Sequence, residues 1–124
     1  MRFFTTSLAV LVSASVALGV FSNSCTNLSI NETILSATCQ GRTGPVATSI
    51  DLSNCVVERD LLLFCLSDTS ETGTPHVLTE RCDRFDLEKT QFSAICEDQA
   101  TESGRQGIVD LDKCLRNVNG RLRC

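Results

Sequence analysis

The chain has 124 residues, with 11 basic and 15 acidic side chains, a formal net charge of −4 and eight cysteines. That is one domain's worth of ordinary globular composition, and its acidic balance argues against nucleic acid as a partner. An even number of cysteines, none in a C-x-x-C pair and accompanied by the lone histidine His76, points to a disulfide framework rather than a metal or other cofactor.

Met1-Arg2 leads into an apolar stretch over residues 3–20 that is diluted by Ser, Thr and Ala, the pattern of a secretory signal peptide. Thr5, Thr6, Ser7, Ser13 and Ser15 interrupt what would otherwise be a membrane span. The small residues Ser15 and Ala17 place cleavage after residue 17, with a cut after Gly19 nearly as good. Residues 1–17 are therefore expected to be removed, leaving 18–124 as a secreted, extracellular domain without a membrane anchor.

Short strands are expected at 25–30, 33–39, 48–52, 55–58 and 62–65, rich in β-branched and aliphatic residues. Asn31-Glu32, residues 41–45 and Arg59-Asp60 separate them. Two sequons, Asn27-Leu28-Ser29 and Asn31-Glu32-Thr33, fall near the first turn and make Asn27 and Asn31 permitted glycosylation sites. Residues 67–80, rich in Ser, Thr, Gly and acidic side chains with a single Pro75, read as a solvent-exposed connector. Near the C-terminus Asn119-Gly120 is a turn dipeptide between 114–118 and 121–124, which predicts a hairpin.

The cysteines step by 14, 16, 10, then 17, then 14, 18, 10, so the chain is two halves of one duplicated unit, 18–66 and 81–124. The flanking residues agree. Leu35-Ser36-Ala37-Thr38-Cys39 returns as Phe92-Ser93-Ala94-Ile95-Cys96, and Ile50-Asp51-Leu52-Ser53-Asn54-Cys55 returns as Val109-Asp110-Leu111-Asp112-Lys113-Cys114. Cysteines ten apart across a hairpin turn suggest Cys55–Cys65 and Cys114–Cys124 bridges. This leaves Cys25 with Cys39 and Cys82 with Cys96.

This repeat resembles the cyanovirin-N homologues, small lectins built from two tandem repeats. Residues 18–25, Ser49-Ile50-Asp51-Leu52 and Asn117-Val118-Asn119-Gly120 with Leu122 carry the likeness, which covers the whole mature chain. It implies an all-β fold of two pseudo-symmetric lobes, each a three-stranded sheet from one repeat joined by the hairpin of the other. The Cys25–Cys39 and Cys82–Cys96 pairs match the family's disulfides. The implied function is carbohydrate binding, weak and directed to mannose-type glycans, with a monomer or a domain-swapped dimer as the assembly. A secreted interaction or effector protein that keeps the scaffold without binding sugar is the alternative.

Carried over residue by residue, one implied sugar site comprises Asn23, Ser24, Gln40, Arg42, Asn117 and Asn119. The second is eroded, because Val57 replaces a polar contact, Leu61 replaces the turn glycine, and Glu97 and Gln99 stand at basic positions. Glu58, Asp60 and Arg81 are what remains of it, so one working site is expected. Enzyme parts are not evident: there is no G-x-S-x-G elbow, no expected free thiol, and His76 lies in the connector without a visible partner.

Overall fold

The computed structural model describes residues 20–68 and 76–124. The expected signal peptide lies outside them. The first repeat opens with a 3-10 turn at Phe21–Asn23 and continues as β1 (Cys25–Asn31), β2 (Ile34–Gly41), β3 (Gly44–Asp51), β4 (Val56–Arg59) and β5 (Leu62–Cys65). After β6 (His76–Val77) and the single helical turn α1 (Leu78–Arg81), the second repeat runs through β7 (Cys82–Glu88), β8 (Gln91–Asp98), β9 (Ser103–Asp110), β10 (Arg116–Val118) and β11 (Arg121–Arg123).

Antiparallel pairing gives each repeat a three-stranded sheet, β1-β2-β3 and β7-β8-β9, and a hairpin, β10–β11 in the second repeat and β4–β5, with β6 added along β4, in the first. The C-terminal hairpin packs on β2 and β3 of the first repeat, and β5 packs on β9 of the second. Each lobe therefore joins one repeat's sheet to the other's hairpin. Alternation along β2 buries Leu35, Ala37 and Cys39, and the same alternation along β8 buries Phe92, Ala94 and Cys96. These merge into a single core with Phe21, Leu52, Leu78, Leu111 and Leu122. Phe21 and Leu78 hold corresponding places in the two repeats, as do Leu52 and Leu111.

The duplication extends to polar detail. Asp51 caps the 3-10 turn Leu52–Asn54 by accepting from the Ser53 N–H and receives the Thr33 hydroxyl; Asp110 accepts from the Asp112 N–H and from Thr90. Three hydrogen bonds to one oxygen, two of them from Ser53, hold the Asp51 carboxyl below its ordinary value of 3.8. Partial burial opposes them less strongly.

Two disulfides agree with the expectation and two correct it. Cys25 and Cys39 are direct cross-strand partners in β1–β2, as Cys82 and Cys96 are in β7–β8, and both pairs are bonded. The hairpin pairs do not form: Cys55 bonds Cys124, and Cys65 bonds Cys114. Register explains the difference. With a two-residue turn at Asp60-Leu61, Cys65 faces Val56, and Cys55 instead accepts the Leu66 N–H. Cysteines ten apart are thus one position out of register, and in a pleated ribbon that turns them to opposite faces. The base of each hairpin is left facing the base of the other, and both bridges cross between repeats.

The described end of the connector, residues 76–80, is more structured than expected. His76 and Val77 pair with Glu58 and Val57, making β4 the central strand of a three-stranded sheet, and Leu78 is fully buried. Pro45, expected in a turn, lies within β3 opposite Gln40, on an edge strand where its missing N–H breaks no ladder bond.

Candidate functional site

In the first lobe the C-terminal hairpin turns through Asn119 (φ 52°) and Gly120 (φ 90°). Glycine is required at the second position for two reasons: the positive φ, and the approach of Val46, whose Cγ2 lies 2.6 Å from where a Cβ would sit. Asn117 fastens this hairpin to the sheet. Its Oδ1 accepts from the Gly120 N–H (2.7 Å), while its Nδ2 donates to Ser24 Oγ (2.9 Å) and the Gln40 carbonyl (3.0 Å). Asn119 Oδ1 accepts from the Arg42 N–H (2.8 Å), and Gln40 N–H donates to the Ser24 carbonyl (2.8 Å).

The structure therefore brings together Ser24, Gln40, Arg42, Asn117 and Asn119, with Asn23 adjoining Ser24 at the end of the 3-10 turn. It also divides their labour. Asn117 is engaged at both ends of its amide and acts as a clamp. Asn23, Gln40, Arg42 and Asn119 are exposed and form the rim available to a ligand.

The second lobe repeats the design with different chemistry. Glu58 occupies the place of Asn117, and its Oε2 accepts from the Leu61 N–H (2.7 Å) as Asn117 Oδ1 does from Gly120. The turn again uses positive φ, at Asp60 (55°) and Leu61 (65°), although Leu61 is not glycine. On the sheet side of this lobe stands Gly107, at the place of Thr48 in the first repeat, where a Cβ would come within 2.9 Å of Leu63 Cγ. Glu58 is completely buried, and its Oε1 has no hydrogen-bond partner. Arg81 Nε stands 4.0 Å from that oxygen. Where Asn117 offers donors to Ser24 and Gln40, the carboxylate offers none, and Arg81 in the place of Ser24 provides the compensating charge.

Beside Arg81 the surface is hollowed. A cavity of ≈ 270 Å³ is lined by His76, Glu80, Arg81, Asp98, Gln99 and Ala100. It adjoins one of ≈ 210 Å³ lined by Thr79, Glu80, Arg81, Cys82, Asp83, Glu97 and Gln99. Of the residues carried over to this lobe, Arg81, Glu97 and Gln99 line the hollow, Glu58 lies behind Arg81, and Asp60 sits exposed in the hairpin turn. A third hollow of ≈ 420 Å³, lined by Asn27 with small residues of β2 and β3, lies along the first sheet.

The CVNH domain model matches residues 21–123. The chain belongs to the CVNH family. Among solved structures it is similar to a MoCVNH3 variant determined in complex with (N-GlcNAc)4, at 14% identity and a TM-score of 0.70 over 85% of this chain and 96% of that one. It is also similar to GzCVNH from Gibberella zeae, at 18% identity and a TM-score of 0.63 over 83% and 94% of the two chains. None of the curated proteins matches it.

Within this CVNH chain, sequence reasoning missed His76, Glu80 and Asp98 as lining residues. One signal was present: the cysteine step 96 to 114 is two residues longer than 39 to 55. Those extra residues fall in the loop joining β8 to β9, which builds one wall of the hollow. Asn27 is not at the first turn. It lies in a bulge within β1 with φ 57°, matched by Arg84 with φ 52° in the other repeat, whereas Asn31 ends β1; both asparagines are exposed.

Proposed function

We propose that this CVNH protein is a secreted carbohydrate-binding protein rather than an enzyme, and that neutral glycans of mannose type dock on the rim of the first lobe. The observation that carries the reading is the double clamp of Asn117 and Asn119. By tying the hairpin turn to Gln40 and Arg42, it fixes a set of donors and acceptors before any ligand arrives, which lowers the ordering cost of binding. Vicinal sugar hydroxyls suit such a rim, since the chain has no Trp or Tyr on which a sugar ring could stack.

Each hydrogen bond exchanged with water contributes only about 0.5–1.5 kcal/mol. Four or five of them, less the cost of fixing the sugar, correspond to dissociation constants of roughly millimolar to tens of micromolar. Asn117 is a poor place to test this, because its removal also deletes the two bonds that tie the hairpin to Ser24 and Gln40. Gln40→Ala and Arg42→Ala leave the clamping backbone groups in place. In a sugar titration followed by NMR, the native protein should show shifts around Gln40, Arg42 and Asn119 with oligomannose, and the double variant should lose them. An absence of shifts with every sugar at tens of millimolar would overturn the reading in favour of a scaffold retained for protein contacts, an alternative that the internal engagement of Asn117 supports.

A further inference from the structure

We infer that the outer face of the C-terminal hairpin is a binding surface for acidic glycans, chains that carry uronate carboxylates, and that it lies next to the rim of the first lobe. The inference rests on the glycan-binding reading above and names the class of chain that suits this lobe: one whose neutral sugars meet the rim and whose acidic sugars run on along the hairpin.

Register puts the basic residues together. Arg116 stands directly opposite Arg123, and Val118 opposite Arg121, so these four side chains share one face of the β10–β11 ribbon. The other face turns Asn117 and the buried Leu122 toward the first sheet. Arg116, Arg121 and Arg123 are all exposed. Opposite residues in such a ribbon lie about 5 Å apart and diagonal ones about 7–8 Å, so three guanidinium side chains spring from one small surface. Among the described residues no carboxylate forms an ion pair with any of them, and Arg123 Nη1 donates to the Leu122 carbonyl (3.2 Å). The chain as a whole has a net charge of −4, so this concentration is not the overflow of a basic composition.

The duplicated unit supplies an independent comparison. In the first repeat's hairpin the same positions hold Val57 opposite Phe64 and Arg59 opposite Leu62. There Val57 is buried and pairs with Val77 of β6, while the Arg59 guanidinium lies over the Phe64 ring, 5.1 Å from its centroid. One hairpin thus has a mostly apolar outer face extended by a further strand, and the other is left bare and basic. Like charges directly opposite one another destabilise a strand pair. Arg116 against Arg123 is therefore a local conflict that the fold does not need, since the other copy does without it. A carboxylate seated between the two turns their repulsion into attraction, and conflicts of this kind mark functional surfaces.

The surroundings choose the class of anion. A guanidinium fork holds a planar carboxylate by two parallel hydrogen bonds. Val118 is the single apolar side chain among the four, which gives the face neither an apolar body to bury in lipid nor an aromatic anchor for a protein pocket. The long polyanion of a nucleic acid is opposed by the negative charge of the rest of the chain. Continuity with the rim favours a saccharide: Arg121 follows directly on the turn Asn119-Gly120, and Asn119 Oδ1 accepts from the Arg42 N–H (2.8 Å).

The test uses the full disulfide-bonded chain and four probes: a tetramer of galacturonic acid, the methyl ester of that tetramer, oligomannose, and phosphatidylserine vesicles. Glycan titrations followed by backbone-amide NMR at about pH 7, in low salt and again at about 1 M salt, read both site and affinity, and sedimentation reads vesicle binding. The acid tetramer should shift amides at 116–123, bind about tenfold more tightly than its uncharged ester, and lose most of this margin in high salt. The double variant Arg116→Gln, Arg121→Gln should lose the preference while keeping or exceeding the native thermal midpoint, because it relieves the opposed charges. Equal binding of acid and ester, or a preference that survives in the double variant, would overturn the proposal. Vesicle binding that depends on Arg116 and Arg121, with no response to the acid tetramer, would replace it with a lipid surface. Oligomannose shifts at Gln40 and Arg42 without any acid-dependent shift would leave the first-lobe reading intact and remove this one alone. Acid-dependent shifts along the hairpin with oligomannose silent would keep this surface and remove the mannose reading; silence from every glycan would remove both.

Discussion

Single residues show how the two copies of one duplicated unit came to differ. At the hairpin turns, Gly120 carries a requirement that Leu61 escapes, because only Gly120 has Val46 pressed against its missing Cβ. Gly120→Ala combines a left-handed backbone with an overpacked contact, each disfavoured by about 1–2 kcal/mol, and should lower stability by about 2–4 kcal/mol in a denaturant titration. At the pseudo-equivalent positions Asn117 and Glu58, the exchange of amide for carboxylate leaves a buried oxygen that depends on Arg81. Arg81→Ala should therefore destabilise the chain by about 1–3 kcal/mol, the range for a buried polar group left unsatisfied. Glu58→Gln retains an acceptor for the Leu61 N–H and removes the charge. In a double-mutant cycle it should make the further loss of Arg81 nearly silent, whereas two independent additive losses would show that the pair is not coupled.

At the scale of elements, the sheets and hairpins were legible because the signals are local: alternation in β2 and β8, turn dipeptides, and a cysteine step of 14 that happens to equal an in-register cross-strand pair. What was not legible depended on register to a single residue. A step of ten looks like a hairpin bridge until the two-residue turn at Asp60-Leu61 sets Cys65 against Val56. Likewise β6 and Leu78 lie in a polar segment whose composition says connector, and only tertiary pairing with β4 makes part of it sheet and core. The first candidate rim could be placed from the family resemblance, but the clamping role of Asn117 could not, since it depends on which groups its amide meets. The capping aspartates offer a test of the local elements. Asp51 titrates below its ordinary value when folded, so its hydrogen bonds stabilise the fold fully above the unfolded value, and this contribution fades as pH falls through the lower folded one. Urea midpoints of the native chain should fall as pH drops below about 4, and Asp51→Asn should be less stable at neutral pH with a shallower acid dependence.

For the whole molecule, disulfide topology decides what the two repeats can do. Cys55–Cys124 and Cys65–Cys114 span 69 and 49 residues, against 14 for each of the other two. In the chain-entropy model the long bridges each stabilise by about 4 kcal/mol and the short ones by about 3. Their larger consequence is mechanical. An exchange of halves between two chains must carry each hairpin base away from its own partner, and both bridges that would have to open lie between the repeats. Reversible swapping is therefore closed to the oxidised monomer, and any swapped dimer has to be assembled before oxidation and sealed by disulfides between chains. Non-reducing peptide mapping should recover both cross-repeat linkages. On a non-reducing gel the oxidised chain should run as a monomer, and light scattering should give the same mass across the accessible concentration range. Mild reduction that opens the cross-repeat bridges should be needed before mixed, isotopically labelled chains exchange halves. Exchange between fully oxidised chains, yielding a dimer that SDS separates without thiol, would show that the repeats part while the bridges stay closed, and would return the long connector to the role of a free hinge.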